Sequence, residues 1–454
     1  MTQPQLLQPR EVPARAVTDP VLRATRDALT LIFGPPDDRT FDVRLWDGSV
    51  EHPSRLDSVA FTLVLRNPAA LRRMFLPPSE IAMAEAYVRG DFEIEGSMEA
   101  ATALGDEIAE RLHAPKTLAR LTTHLLALPK RAPVPDGEMR HTSGLESLGP
   151  EHVPQRDAAA IRFHYDVGND FYKLWLDENM VYSEAYFATG TEDLDTAQRA
   201  KLDYICRKLR LQPGERLLEF GCGWGGLLLH AVTHYGVRAL GITLSDAQAE
   251  IARKRIAEAG LADRCQVEVR DYRSLPGEGT FDKAVSVGMF EHVGRAKMRE
   301  YFAQAHRLLK AGGLFLNSGI IASSMPPFNR WHGWVARTVW KRGTFIDRYV
   351  FPDGELLPLE EVEHDASLEG LETRDVEEMR EHYALTLRHW VRRLERHRDT
   401  AIRLTSEATY RVWRLYMAAS AHAFTVGRIR LVHILFSKPD AMGNAGLPFT
   451  RTAP

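Results

Sequence analysis

The chain has 454 residues, 44% hydrophobic and 26% charged, with a formal net charge of -3; this balance is that of globular domains and gives no overall reason to expect nucleic acid. The length leaves room for about two or three domains with a substantial core. The 3 cysteines, Cys206, Cys222 and Cys265, have no metal-ligand spacing and cannot complete a disulfide framework, so a reducing compartment and no metal site are expected. The opening MTQPQLLQPREVP lacks the charged-then-apolar pattern of a secretory leader. No apolar run approaches the ~20 residues that cross a bilayer. A cytoplasmic chain, free to touch a membrane surface, is expected.

In chain order, the Pro-rich residues 1–18 read as a disordered N-terminus. Residues 19–128 read as a small α+β domain. Helical periods cover 21–33, 68–74, 79–88 and 118–128, and strand patterns cover 41–46 and 60–65. The stretch 83–96, MAEAYVRGDFEIEG, mixes apolar and acidic residues. Residues 129–155, rich in Pro, Gly and charge, read as a linker, and 156–454 as a second domain.

In that second domain short apolar runs at 216–220, 238–243, 266–270, 281–287 and 314–320 alternate with helical periods at 227–235, 247–259 and 297–309. The alternation predicts an α/β fold, a mostly parallel sheet covered on both faces, with ligands at the carboxyl ends of the strands. The glycine-rich RLLEFGCGWGG at 216–226 sits at such an end. Glycines there let the backbone approach a ligand where a Cβ would clash, and helix N-terminal amides face the same ligand. Gly221, Gly223 and Gly226 also satisfy a dinucleotide fingerprint, so a dehydrogenase is the competing reading.

Three features favour a different nucleotide-like ligand. Glu219 precedes the first glycine, where a carboxylate can orient the loop or meet a ligand amine. The second strand ends in GITLSDAQ, with no acid at the ribose position of a dinucleotide site. The third ends in Asp271-Tyr272, a carboxylate and a stacking ring suited to adenine. Plainer readings stay open at each position: Ser245 and Gln248 have capping-box spacing, and Asp271 suits a turn.

The segment 163–187, FHYDVGNDFYKLWLDENMVYSEAYF, followed by LLEFGCGWGG, GITLSDAQ, RDYR and SVGMFEHVG, resembles the cyclopropane-fatty-acyl-phospholipid synthase family over about residues 160–437. The resemblance implies a Rossmann-like, doubly wound S-adenosylmethionine (SAM)-dependent methyltransferase that adds a one-carbon unit to a lipid acyl double bond. It implies Tyr182 and Ser183 over the methionine part of SAM and Gly221 and Gly223 in the glycine loop. Thr243 and Gln248 would lie near the ribose, and Asp271 and Tyr272 near the adenine. Glu291 and Tyr383 match the family's active-site glutamate and tyrosine.

Two departures alter what the resemblance carries over. The family usually reads YSCAYF where this chain reads YSEAYF, so Glu184 replaces a cysteine; it usually reads LLHTI where this chain reads FLNSG, so Asn317 replaces a histidine. In the family that cysteine and histidine help hold a bicarbonate thought to act as the base. The expectation is that Glu184 takes over its role, that Asn317 counts with Glu184, Glu291 and Tyr383 among the catalytic positions, and that bicarbonate is dispensable.

The stretch 328–348, FNRWHGWVARTVWKRGTFIDR, joins Trp331, Trp334 and Trp340 to Arg330, Arg337, Lys341 and Arg342, a mixture suited to an anionic bilayer interface or a docking surface for another subunit. Residues 374–426 carry helical periods with Tyr383, Trp390, Tyr410, Trp413, Tyr416 and Phe424, read as the helical wall of an acyl pocket; an aromatic stripe also suits plain core. The expected partners are an unsaturated acyl phospholipid, the inner membrane face, a reductase subunit and further copies of the chain. Methylation of a small polar acceptor and a non-catalytic lipid carrier are the rival functions.

Overall fold

The computed structural model describes residues 19–112, 114–130, 145–165, 167–323, 344–445, 447–448 and 450. The expected disordered N-terminus, most of the linker, and Trp331, Trp334 and Trp340 with their basic neighbours lie outside the described residues. The chain divides into two compact units, Met1–Asp136 and Gly137–Pro454.

In the first unit the helix Pro20–Phe33 begins where Asp19 Oδ1 accepts from Val21 N at 2.8 Å, with proline at the first turn. Its buried face carries Leu22, Leu29, Ile32 and Phe33. A four-stranded sheet, ordered β2-β1-β3-β4, is built from β1 (Asp42–Arg44), β2 (Val50–Glu51), β3 (Phe61–Leu65) and β4 (Phe92–Gly96). Phe61, Leu63 and Leu65 alternate into the core. Phe41 packs between Phe33 and Phe61, with ring centroids at 5.3 and 4.8 Å. The mixed stretch 83–96 resolves into the end of the helix Glu80–Val88, a turn and β4. The helix Met98–Leu112 is not among the expected elements; it buries only Met98 and so carries little apolar signal.

The second unit holds a seven-stranded sheet ordered β10-β11-β9-β8-β5-β6-β7. Its strands are β5 (Arg216–Phe220), β6 (Arg238–Thr243), β7 (Cys265–Val269), β8 (Phe281–Val287), β9 (Leu309–Ala322), β10 (Glu372–Glu378) and β11 (Ile429–Ser437). β5 to β9 pair in parallel; β11 joins antiparallel between β9 and β10. Leu217 and Val285 pack on one face with Leu228, Val232 and Ile256. Leu218, Phe220 and Ala284 pack on the other with Phe302, Leu308 and Ile434. Burial on both faces is why the central strands read as continuous apolar runs.

Neither β10 nor β11 is among the expected strands. β10 falls inside the stretch expected to be helical, and the correction has a physical cause: its sequence ETRDVEE is nearly all polar, and pairing with β11 imposes its conformation. Beyond it the chain is helical as expected, through Arg380–Arg396, Arg398–Leu404 and Glu407–Thr425. No described helix is long and apolar enough to cross a membrane.

Candidate active site

The chain runs from β5 outward through β6 to β7, then returns to the other side of β5 for β8 and β9. That reversal leaves a crevice at the carboxyl ends of β5 and β8, where open α/β sheets bind ligands. A cleft of about 1140 Å³, open to solvent, lies there. Every cofactor residue expected from the sequence lines it: Tyr182, Ser183, Glu219, Gly221, Gly223, Thr243, Gln248, Asp271 and Tyr272.

The glycine turn shapes one wall. Gly221, Gly223 and Gly225 have φ of 75, 51 and 79°, values that L side chains rarely adopt. Gly221 N and Cys222 N both donate to Ile242 O, at 3.0 and 2.9 Å, pinning the turn to β6. A Cβ at Gly223 would meet no atom within 4 Å, so this glycine leaves open space in the wall it lines. A Cβ at Gly226 would lie 2.9 Å from Asn179 O, so that glycine serves packing.

Opposite, the segment holding Tyr182 and Ser183 hangs from the helix Leu194–Lys208. Gln198 Nε2 donates to Ser183 O and Lys201 Nζ to Ser183 Oγ, both at 2.8 Å. Asp177 precedes the segment and accepts from Asn179 N and Val181 N, at 2.8 and 2.7 Å. Glu219 is buried, and Oε2 has no partner among the described residues. Burial pushes its carboxyl up to about 8, partly offset by Lys201. An orphaned buried carboxylate oxygen and an open glycine cradle in one cleft fit the cationic amino-acid end and the flat nucleoside of SAM.

The plainer readings also hold at two positions. Ser245 caps its helix by accepting from Gln248 N at 3.2 Å, while Thr243 Oγ1 donates to Gln248 Oε1 at 2.8 Å. Asp271 starts a short turn, and Arg273 clamps its carboxylate at 2.9 and 2.6 Å while also holding Asp157 at 2.9 Å. Thr243, Gln248, Asp157, Asp271 and Arg273 line the cleft.

Glu184, Glu291 and Tyr383 are not among the cleft-lining residues but gather behind Ser183. Glu184 is 1% exposed. Burial acts to raise its carboxyl, but the hydrogen bond and charge of His433 and the charge of Lys201 outweigh this and hold it below the usual range. Tyr383 is buried and packs on Trp390 and Phe424, with ring centroids at 5.9 and 4.7 Å. Asn317 stands apart. Its neighbour Ser318 reaches Glu184 at 3.3 Å, so strand alternation turns Asn317 to the other face, where Oδ1 accepts from Tyr301 at 2.8 Å. The expected place of Asn317 among the catalytic positions with Glu184 is thereby corrected.

Glu291 Oε1 accepts from Ile320 N at 2.6 Å, while Oε2 has no partner among the described residues. Burial, with the charge of Glu184 adding to it, pushes this carboxyl up to about 7. The folded protein therefore keeps a proton that the unfolded chain releases near 4.5. The stability this group contributes is full below that range and lost as pH rises through about 7. Glu291→Gln is expected to flatten the fall in unfolding free energy between about pH 5 and about pH 8 by up to a few kcal/mol. A slope equal to that of the parent would clear Glu291 of the effect.

The aromatic residues form one buried network: Tyr182 lies 5.2 Å from Trp390 and 5.4 Å from Trp175, and Trp413 lies 5.8 Å from Tyr416. Tyr410 instead meets Arg398 at 5.6 Å. A recess of about 410 Å³ opens beside Trp413, lined also by Phe163 and Val412. Lys201, Gln198 and His433 are site residues that the sequence reading lacks. The first two sit at i, i+3 on a helix, as any solvated pair would, and only tertiary packing buries them.

The sheet order and its cleft define a SAM-dependent methyltransferase, and SAM is the cofactor. The chain belongs to the mycolic acid cyclopropane synthetase family, whose sequence profile matches residues 152–434. Residues 29–105 match a domain of unknown function. A probable fatty acid methyltransferase of Pseudomonas putida is 40% identical over 90% of this chain and 94% of its own length. A probable fatty acid methyltransferase of Mycobacterium tuberculosis is 37% identical over 89% and 92%. The crystal structure of mycolic acid cyclopropane synthase CmaA1 with SAH and CTAB covers 62% of this chain and 97% of its own, at 33% identity and a TM-score of 0.57. These relationships set the dehydrogenase reading aside.

Proposed function

We propose that the protein transfers a one-carbon unit from SAM to the double bond of an unsaturated fatty acyl chain carried by a phospholipid. The observation that carries this reading is Glu184, a buried, ionised carboxylate next in sequence to the cleft-lining Ser183. The relatives that align with nearly the whole chain are named fatty acid methyltransferases, which supports the acceptor class.

When bound, SAM supplies an electrophilic methyl on a sulfonium. An alkene that takes up this methyl is left with a cation on the acyl chain. Glu184 stabilises that charge and accepts a proton from it, and the faces of Tyr182, Tyr383 and Trp390 add cation–π attraction. Loss of a proton from the added methyl closes a cyclopropane; after a hydride shift it leaves an exocyclic methylene, which a reductase partner would saturate. Glu184 is covalently part of the site, so no captured bicarbonate is required.

Lipids from a host that expresses the chain and is fed labelled methionine are expected to carry label in acyl chains at the former double bond. Mass spectrometry of cleaved chains reads its position. Label confined to headgroups or small polar molecules would overturn the reading. We place the reaction at the cytoplasmic face of the inner membrane, on the strength of the tryptophans and basic residues of 328–348. Co-sedimentation with anionic vesicles should weaken at high salt; no sedimentation at low salt would count against this placement.

A further inference from the structure

Among the described residues Glu184 accepts two hydrogen bonds, and both fall on one oxygen. His433 Nε2 lies 2.6 Å from Oε1, and Ser318 Oγ donates to the same atom at 3.3 Å. Neither engages Oε2. His433 arrives on β11, where it faces Ser318 of β9 on one side and Glu377 of β10 on the other. Cross-strand partners project to the same face of a sheet, so the strand register itself delivers His433 to Glu184. The imidazole is 0% exposed. Facing an ionised carboxylate, Nε2 is the nitrogen that carries the proton; Nδ1 has no partner among the described residues.

The other charged and titratable groups around this pair do not substitute for that bond. Lys201, from the helix Leu194–Lys208, donates to Ser183 Oγ at 2.8 Å and acts on Glu184 through its charge. Glu291, from the turn after β8, is itself pushed up to about 7 by burial and by the charge of Glu184, and its Oε1 accepts from Ile320 N. His382 and Tyr383, from the helix Arg380–Arg396, lie within electrostatic reach of Glu184. Glu377 is held by Tyr204 Oη at 2.9 and 2.8 Å and by Lys208 Nζ at 2.6 Å. A carboxylate this deeply buried takes up a proton unless a direct donor holds its charge.

We infer that His433 is a positioning residue for Glu184: its Nε2–H fixes Oε1, keeps the carboxylate ionised and leaves Oε2 as the atom that takes the proton. This rests on the proposed role of Glu184 as the base. In the step it serves, a C–H bond of the added methyl, beside the carbocation on the acyl chain, breaks and its electron pair forms the new carbon–carbon bond. The proton forms an O–H bond at Oε2. Nothing is oxidised or reduced, and His433 breaks no bond.

The test compares the full-length parent, His433→Phe and His433→Gln in labelled methyl transfer from SAM to vesicles of unsaturated phospholipid, as a function of pH. Phe removes the donor and strands Glu184, so the acid limb of kcat should move to higher pH by about one unit or more. Turnover should recover toward the parent at alkaline pH, with SAM affinity by calorimetry unchanged. Gln reaches the same oxygen with an amide N–H and should keep the limb near that of the parent. A purely structural role would lower kcat at every pH and leave the limb in place, and that outcome overturns the inference. If His433→Phe does not fold, His433→Asn, too short to reach Oε1, makes the same comparison. A parent that transfers no label to acyl chains, or a fully active Glu184→Gln, would overturn the base assignment and this inference with it. An active parent, an inactive Glu184→Gln and an unmoved limb in the His433 variant would overturn the inference alone.

Discussion

Glu184→Gln is expected to bind SAM with parental affinity and to transfer methyl groups more slowly by a factor on the order of a hundred or more. The substitution keeps the shape of the side chain. Its amide oxygen can still accept from His433 Nε2 and Ser318 Oγ, which both bond Oε1 in the parent, so neither donor loses its acceptor, and the new amide nitrogen takes the place of Oε2. What is lost is the negative charge that stabilises the cation and the lone pair that takes its proton. Because the base is part of the chain, the parent should run at the same rate in carbon-dioxide-free buffer with or without added bicarbonate. Strict bicarbonate dependence of the parent, or full activity of the glutamine variant, would sink the assignment. Restoring the usual family pair by Glu184→Cys with Asn317→His is not expected to rebuild a bicarbonate site, because position 317 faces Tyr301 on the other side of the sheet.

Much of this was legible before the coordinates. β5, β6 and β8 begin and end where their apolar runs do, since a parallel strand buried on both faces writes its burial into consecutive residues. The cleft-lining residues Glu219 to Tyr272 were legible for a related reason: each sits within a few positions of a strand end, and the sheet topology gathers strand ends together, whereas Tyr182 and Ser183 precede the sheet and rested on the family resemblance alone. What stayed hidden depends on partners distant in sequence. His433 meets Glu184 across 249 positions, and nothing local to Ile429–Ser437 marks one residue of that strand as special. Asn317 shows the converse error. The family resemblance put it in the catalytic set with Glu184, but a strand has two faces and the pleat assigns them alternately, so the register of β9 with β11 decides which residue meets the carboxylate.

Gly223→Val is expected to yield a folded protein whose affinity for SAM falls on the order of a hundredfold or more, about 2.8 kcal/mol. Two effects of the side chain have to be separated. The first is backbone strain: Gly223 has φ 51°, and a β-branched residue in the left-handed region costs roughly 1–2 kcal/mol. The second is occupancy: its Cβ would meet nothing within 4 Å, so the added methyls clash with no protein atom there and stand in the space of the cleft that this glycine lines. Strain lowers stability but does not by itself block a ligand. Gly260 provides the control, because it has φ 67°, meets nothing within 4 Å and is absent from the cleft lining. Gly260→Val should lose a similar amount of thermal stability and keep parental SAM affinity by calorimetry. Gly226→Val should behave differently from both, since its Cβ would press on Asn179 O at 2.9 Å and Val181 Cγ2 at 3.0 Å and so displace the segment leading to Tyr182. A folded Gly223→Val that binds SAM as the parent does would show that the ligand does not lie against this turn, and the cleft would lose its assignment as the cofactor site.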